Sequence, residues 1–241
     1  AGMPQPGGVL DGTALALSAW SLATLRCAAS PQLDVMRHGL AREACRRLRD
    51  FTARHCANLL WALAALGRIG DGDMELLAAE ALGRLRESTP QGLSNVCWAL
   101  APRPSCGVPL LAIAAARACE VAPELGAQDL ASIAWASSTA TCAGGPPLLL
   151  ALAVASRPRL PDFTPRHLAN EAWAFATAEL QEARPLLVLM AMQAATSASR
   201  FAAPDLAHLC WALAACPAAV CAGSRGPEAL AAEARARLPQ L

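Results

Sequence analysis

Apolar residues recur along this chain at helical spacing, in pairs of stretches separated by segments rich in Gly and Pro. One stretch of each pair is centred on a tryptophan, as in Leu93, Trp98 and Leu100, and we expect the tryptophan to share the apolar arc of those leucines. The other stretch, clearest from Asp73 to Leu85, also repeats leucine at helical spacing. The pattern therefore predicts two amphipathic helices per unit, joined as a helical hairpin.

Six tryptophans mark the length of this unit. Their spacings along the chain are 41, 37, 37, 38 and 38 residues. A fixed period of this length indicates a repeat architecture. We therefore predict an all-α fold, a single α-solenoid over residues 1–241 with six helix-turn-helix repeats of 37–41 residues. The repeats are anchored on Trp20, Trp61, Trp98, Trp135, Trp173 and Trp211.

The second helix of each hairpin has a recognisable start. Thr52, Thr89 and Thr164 stand nine residues before a tryptophan, and Phe51 and Phe163 directly precede two of them. A Thr hydroxyl can accept a hydrogen bond from the free N–H groups of a first helical turn, and an apolar residue before it can pack as a staple. These positions are predicted N-caps.

Both ends of the chain are out of phase with the repeat. Residues 10–26 have the pattern of a second helix without a first, and Pro227 to Leu238 has that of a first helix without a second. We therefore expect a fragment of a longer repeat protein. The apolar faces of its first and last helices are expected to be partly open to solvent, since no neighbouring hairpin covers them. The residues of these faces are Leu15, Leu22, Leu25, Leu230 and Leu238.

Composition supports helix and gives no strong electrostatic signal. Ala and Leu dominate, Tyr is absent, and the net charge is +1. No apolar run approaches the roughly 20 residues of a membrane span, so no membrane partner is expected.

Catalytic and metal-binding patterns are missing. The ten cysteines include no Cys-x-x-Cys pair, and the four histidines follow the repeat rather than forming a nucleophile and base pair. No glycine-rich phosphate loop is present. We therefore predict a protein that is not an enzyme, with no metal, cofactor or small-molecule substrate, and with reduced cysteines packed in its core.

Two segments resemble a known repeat. Arg159 to Ala176 and Asp50 to Ala64 carry close variants of the core Leu-Ala-Asn-x-x-Trp-Ala-Leu-Ala and are similar to the octotricopeptide repeat, which is related to FAST-kinase-like and RAP-associated proteins. The resemblance implies an α-solenoid of the mitochondrion or chloroplast that acts in RNA processing, stability or translation. At Glu171 this chain differs, since the family has leucine there.

Polar residues occur three positions before five of the tryptophans. About 60° from the tryptophan on a helical wheel, they could either form a hydrogen-bond ladder between repeats or contact a partner. These residues are Asn58, Asn95, Ser132, Asn170 and His208. Another polar column, six before Trp, includes His55, Asp129 and His167 and is interpreted as solvated or capping.

A basic cluster supplies the best phosphate-binding candidates, because Arg pairs with phosphate and stacks on bases. Its members are Arg37, Arg42, Arg46, Arg47, Arg49 and Arg54. With the family resemblance, the cluster favours single-stranded RNA as the partner. The near-zero net charge favours the alternative, a protein scaffold such as a subunit of an organellar ribosome or another complex. The tryptophans could stack on bases, but their regular phase favours packing in the core.

Overall fold

The computed structural model describes residues 11–25, 30–67, 70–103, 107–140, 145–216 and 225–237. These ranges contain twelve α-helices and no strand, which confirms the all-α prediction. The chain divides into two compact units, Ala1–Leu100 and Ala101–Leu241.

In the first unit, helices of the same kind pack beside one another. Its helices are α1 (Gly12–Thr24), α2 (Pro31–Arg46), α3 (Ala53–Ala65), α4 (Asp71–Gly83) and α5 (Pro90–Leu100). The tryptophan-bearing second helices α1, α3 and α5 lie side by side, with α3 in the middle, and the first helices α2 and α4 pack on each other. Each first helix leads into the second helix of its hairpin through a short turn.

The second unit repeats this organisation. Its helices are α6 (Gly107–Val121), α7 (Ala127–Thr139), α8 (Gly145–Ser156), α9 (Pro165–Thr177), α10 (Arg184–Ala195), α11 (Ala203–Ala215) and α12 (Arg225–Ala236). The second helices α7, α9 and α11 form a row with α9 in the middle. The first helix α6 packs on α8, and α10 packs on α12.

The predicted N-caps are confirmed. Backbone N–H groups donate to the hydroxyls of Thr52 (3.3 Å), Thr89 (3.2 Å) and Thr164 (3.4 Å). Asp11 caps α1 in the same way, accepting from the N–H of Ala14 at 2.7 Å. In all six second helices the N-cap residue stands nine residues before the tryptophan. The residue at which the helix begins therefore determines the side of the helix on which the indole lies.

The polar column six before Trp completes these caps. Nδ1 of His167 accepts from the N–H of Thr164 at 3.4 Å, while the His167 ring meets Phe163 edge-on with centroids 6.0 Å apart. His55 repeats both contacts in α3, with Thr52 and Phe51. Burial, together with the charge of Arg166, lowers the pKa of His167 and so favours the neutral ring that can accept this bond. The capping interpretation of this column is confirmed for these histidines.

A 3-10 turn joins the first and second helix of five hairpins. The turns are Leu48–Asp50, Leu85–Glu87, Ala122–Glu124, Arg157–Asp162 and Ala198–Arg200. Arginines of the following hairpin bind two of them. Arg159 donates to the Pro123 carbonyl, and Arg237 donates to the carbonyls of Phe201 (2.6 Å) and Ser199 (2.9 Å). These bonds satisfy carbonyls that a tight turn leaves without helical partners.

The prediction of open apolar stripes at the ends is wrong for two of its residues. Leu15 is 2% exposed and Leu230 is fully buried. Leu22 is half-buried and Leu25 is exposed, while Leu238 lies outside the described residues. Leu15 is covered because α1 packs on α3, and Leu230 because α12 packs on α10 and α11.

The core interpretation of the cysteines is confirmed for three of the six that are described, while Cys45, Cys119 and Cys210 are half-buried. Cys56, Cys97 and Cys216 are buried, and the six described cysteines are free thiols. Cys27, Cys106, Cys142 and Cys221 lie outside the described residues. Among the described helices, none combines the length and the apolar character needed to cross a bilayer.

Candidate nucleic-acid interface

Each second helix leaves one narrow stripe of side chains outside the core. In α9 the stripe consists of Arg166, Asn170, Trp173 and Thr177, and every other residue from Leu168 to Ala176 is buried. Positions i, i+4, i+7 and i+11 fall on one side of an α-helix. We call this row of positions the tryptophan stripe.

The same positions form the stripe in the other second helices. All these residues are exposed or half-buried, and the helix faces around them are mostly buried in α3, α5 and α7 and less so in α1 and α11. In each helix the stripe includes the residues seven and three positions before the tryptophan and the tryptophan itself. In the order α1, α3, α5, α7 and α11, these sets are Thr13, Leu17, Trp20; Arg54, Asn58, Trp61; Gln91, Asn95, Trp98; Gln128, Ser132, Trp135; and Pro204, His208, Trp211.

The prediction that the tryptophans pack in the core is therefore wrong for Trp20 and Trp211 and only partly right for the other four. Trp20 is 45% exposed and Trp211 is 49% exposed, and the other four are half-buried. The reason is angular: at 100° per residue, Leu168 and Phe175, five before and two after Trp173, lie about 140–160° away from it. The core arc is centred on those two side chains, and the tryptophan lies on the opposite side of the helix.

Neighbouring stripes contact one another inside each unit. In the first unit the rings of Trp61 and Trp98 have centroids 6.1 Å apart and are tilted by 42°. In the second unit Trp173 meets the ring of His208 at 6.4 Å and 41°. Aromatic and polar side chains of adjacent helices thus form one surface within each row.

The polar column three before Trp has two environments. Nδ2 of Asn95 donates to Oδ1 of Asn58 at 3.3 Å, so the ladder between repeats is present at this pair. Ser132 and Asn170 are half-buried and have no hydrogen-bond partner among the described residues. His208 is exposed and its ring contacts Trp173. The column is therefore structural at the asparagine pair and open to a partner at Asn170.

Three of the clustered arginines are committed to contacts within the chain. Arg37 donates to the Leu66 carbonyl at 3.1 Å and pairs with Asp34 at 3.2 Å. Arg47 pairs with Asp50 at 2.9 Å. Arg46 forms a longer pair, 3.6 Å, with Glu43.

The other three arginines are exposed and have no hydrogen-bond or ion-pair partner among the described residues. They are Arg42 on α2, Arg49 in the following 3-10 turn and Arg54 in the first turn of α3. Arg54 alone belongs to a tryptophan stripe. The sequence cluster is thus divided between an intramolecular set and three residues that can meet an anion.

The tryptophan stripe carries positive charge and no carboxylate. Arg54 and Arg166 are its charged residues in the described second helices. Asp129, Glu171 and Asp205 each stand one residue after a stripe position; Glu171 is fully buried, and the Asp129 carboxylate accepts from the N–H of Gly126 at 3.3 Å. In contrast, α4 on the first-helix side carries only acids, at Asp71, Asp73, Glu75 and Glu80.

Glu171 is a buried carboxyl group that the sequence interpretation did not place in the core. It is fully buried, accepts a 2.6 Å hydrogen bond from the Ser156 hydroxyl through Oε1, and has no partner for Oε2. Burial raises the pKa of Glu171 to about 8, against the lowering effect of the Ser156 bond. The available signal was its column, two before Trp, which holds Leu, Val or Ile in the other four complete hairpins and Ser18 in α1.

The thiols are poorly suited to nucleophilic chemistry. Burial raises the pKa of Cys97 to about 12 and that of Cys56 to about 11, which disfavours the reactive thiolate. Across the described ranges, no group of three His, Cys, Asp or Glu side chains could hold a metal ion.

No family model and no curated protein matches the chain. The features of this chain that bear on function are therefore the tryptophan stripe, its charge and its exposed aromatic rings.

Proposed function

We propose that this protein binds single-stranded RNA through the tryptophan stripe of its second helices. The observation that carries the proposal is the repeated exposure of an indole beside hydrogen-bonding side chains on adjacent helices. On this proposal the chain is an α-solenoid of about six hairpins. Its resemblance to the octotricopeptide repeat supports a role in organellar RNA processing, stability or translation, in the mitochondrion or chloroplast.

The surface chemistry fits an unpaired strand better than a duplex. Bases that are not paired can stack on aromatic side chains and offer their edges to amides and hydroxyls. Four of the six indoles have Asn, Gln, Ser or Arg one or two helical turns before them, at Trp61, Trp98, Trp135 and Trp173. A folded duplex hides both the base faces and most of their edges, so the indoles would have little to contact.

Phosphate contacts are assigned to the exposed arginines. Arg42, Arg49 and Arg54 have no partner among the described residues, and Arg166 is exposed on α9. A guanidinium group binds phosphate through two parallel N–H donors. The small number of such residues implies a modest electrostatic contribution.

Salt titration tests this proposal. Fluorescence anisotropy of a labelled, unstructured 20-nucleotide RNA of mixed sequence would be measured between 20 and 200 mM salt, values chosen to span about a tenfold range. We expect binding that weakens with salt, and a shallower slope in the variant Arg49→Gln/Arg54→Gln, since each lost phosphate contact on a single strand lowers the slope by about 0.7.

The control is Arg46→Gln/Arg47→Gln, which removes two arginines already paired with carboxylates and should leave the slope nearly unchanged. Absence of RNA binding at the lowest salt would exclude the proposed function for residues 1–241.

A protein scaffold is the second candidate, favoured by the first helices of the second unit. Ile113 on α6, Val154 on α8 and Met192 on α10 are 53%, 69% and 50% exposed, and α8 has no charged residue. Exposed apolar surface of this kind is typical of protein interfaces. On this alternative Val154→Asp/Met192→Asp would abolish partner binding and leave RNA affinity unchanged.

A further inference from the structure

We infer that Arg166, Asn170 and Trp173 on α9 together seat one unpaired nucleotide, and that Arg54, Asn58 and Trp61 on α3 seat another. The indole stacks on the base, the amide bonds the base edge, and the guanidinium binds the phosphate. This inference rests on the proposed function and adds to it the ligand unit and the role of each side chain.

The row on α9 has the geometry that the assignment needs. Its three residues stand at i, i+4 and i+7, so they lie along one side of the helix over about 10 Å. Arg166 is exposed, Asn170 and Trp173 are half-buried, and the side chains between Asn170 and Trp173 are buried, while His167, next to Arg166, is half-buried and belongs to the cap. A ligand on this row therefore meets an indole, an amide and a guanidinium, and His167 is the only other partly exposed side chain between Arg166 and Trp173.

The central helix of each unit carries this combination. In the first unit α3 lies between α1 and α5, and in the second α9 lies between α7 and α11. The flanking helices α5 and α7 have Gln in place of Arg, at Gln91 and Gln128. The cation thus occurs only at the middle of each described row, on the helix that has another second helix packed on each side.

The amides keep hydrogen-bonding capacity for a base. Asn170 has no hydrogen-bond partner among the described residues, so both its carbonyl and its NH2 group are available. Asn58 accepts from Asn95 and retains its own NH2 donors. A primary amide can pair with the donor and acceptor edge of a base through two parallel bonds, as Asn and Gln do with adenine.

The indoles remain open for stacking. Trp61 and Trp173 each touch one neighbouring ring, but these contacts are tilted by about 40° rather than stacked in parallel, and both indoles stay partly exposed. A base at either tryptophan would extend the aromatic surface already formed with Trp98 or His208. Base stacking on an aromatic side chain accepts any base, so the amide is the specificity determinant.

Charge complementarity selects a nucleotide over an uncharged ligand. Each row contains one exposed guanidinium and no carboxylate. A sugar or an apolar peptide would leave that cation without a counter-charge, whereas a nucleotide places an anion near it and a flat ring near the indole.

The test separates base contacts from phosphate contacts. Two 12-nucleotide probes would be compared at low salt, an RNA of mixed sequence and a strand of the same length with abasic residues throughout. We expect the RNA to bind about tenfold or more tightly than the abasic strand, as one to three kcal/mol of stacking per base implies. The RNA should also quench tryptophan fluorescence, and the abasic strand should not.

Variants assign the effect to the row. Trp173→Leu should weaken RNA binding about tenfold and leave abasic binding unchanged, whereas Arg166→Gln should weaken both. Asn170→Ala should change the ratio of affinities for oligoadenylate and oligouridylate by threefold or more, roughly the effect of one amide bond. Arg157→Gln and Val154→Ala, both exposed and off the stripe, are the matched controls, and circular dichroism checks folding of each variant.

The outcomes distinguish the inference from the function on which it rests. RNA binding that is equal for the abasic strand, or unchanged by all three row variants, overturns the nucleotide site and leaves RNA binding standing. Failure to bind either probe at low salt overturns both and favours the protein scaffold.

Discussion

Glu171 is the residue at which the chain departs most from its own repeat. Its column, two before Trp, holds Leu59, Val96, Ile133 and Leu209 in the other described hairpins. A carboxyl group there is buried with a single hydrogen bond to Ser156, and one oxygen has no partner. Ionising such a group in an apolar site is costly, so the proton stays on it well above the usual range of a glutamate.

The protein should therefore become less stable as pH rises. Because the pKa of Glu171 is raised to about 8 in the folded protein from an ordinary value of 4.5, its contribution to the free energy of unfolding should fall as pH rises from about 4.5 to 8, where the unfolded chain loses this proton and the folded protein keeps it. The free energy of unfolding of Glu171→Gln and of the natural protein would be measured in denaturant at pH 5.5 and at pH 8.5. From the lower to the higher pH, the stability of the variant relative to the natural protein should rise by at least about 1 kcal/mol. An identical pH dependence in both proteins would contradict a buried, titrating carboxyl.

The tryptophans should contribute unequally to stability. A fully buried tryptophan costs about 3–5 kcal/mol when replaced by alanine, but half-buried Trp98 should cost only about 1–3 kcal/mol and exposed Trp211 under about 1 kcal/mol. Thermal or denaturant melts of Trp98→Ala and Trp211→Ala provide the comparison. Losses near the fully buried value for both would mean that the indoles pack more deeply than the structure shows.

These residues also show where sequence reasoning succeeds and fails. Thr52 and Thr164 were predicted as caps because a cap depends on neighbours three residues away along the chain, and local sequence contains them. The environment of Trp98 was predicted only in part, as packed but not as half-buried, because apolarity alone does not say which side of a helix faces the core. The exposure of its whole stripe became visible only once the helices were packed.

At the scale of single helices, the caps are worth measuring. Thr164→Ala should destabilise α9 by about 1 kcal/mol, because the N–H of His167 loses its acceptor and the first turn is left without its hydroxyl cap. Thr177→Ala is the matched control, since Thr177 is exposed near the other end of the same helix and makes no cap. Equal stability of the two variants in denaturant melts would argue against the cap.

A second helix-level test concerns the packing of α12 on α10. A Cβ added at Gly226 would lie 2.9 Å from the backbone C and O of Ala191, too close for either helix to stay in place. Gly226→Ala should therefore lower stability and increase hydrogen exchange in α12. In Gly39→Ala, where a Cβ meets nothing within 4 Å, stability should rise by about 0.5–1 kcal/mol through helix propensity. Tolerance of both substitutions would contradict the close helix contact.

For the whole molecule, the order of the helices could be predicted from the sequence. The roles of the surface residues could be predicted only in part. Periodic tryptophans and Gly- or Pro-rich breaks located the helices, since both signals are local. Division of the arginines into paired and exposed sets could not be predicted, because the partners of Arg37 include the Leu66 carbonyl, 29 residues away. The availability of Asn170 and the pairing of Asn58 with Asn95 likewise depend on which helices become neighbours.

The constant interval of nine residues between cap position and tryptophan has a consequence for how such a chain can change. One residue inserted within the interval would turn the indole by about 100° and remove it from its stripe. Length added before the cap lies outside the interval, and the chain already varies there, with 41 residues between Trp20 and Trp61 but 37 between Trp61 and Trp98. Whole hairpins could thus be exchanged, shortened or lengthened at their turns, in evolution or in the laboratory, while the side chains offered to a partner keep their alignment.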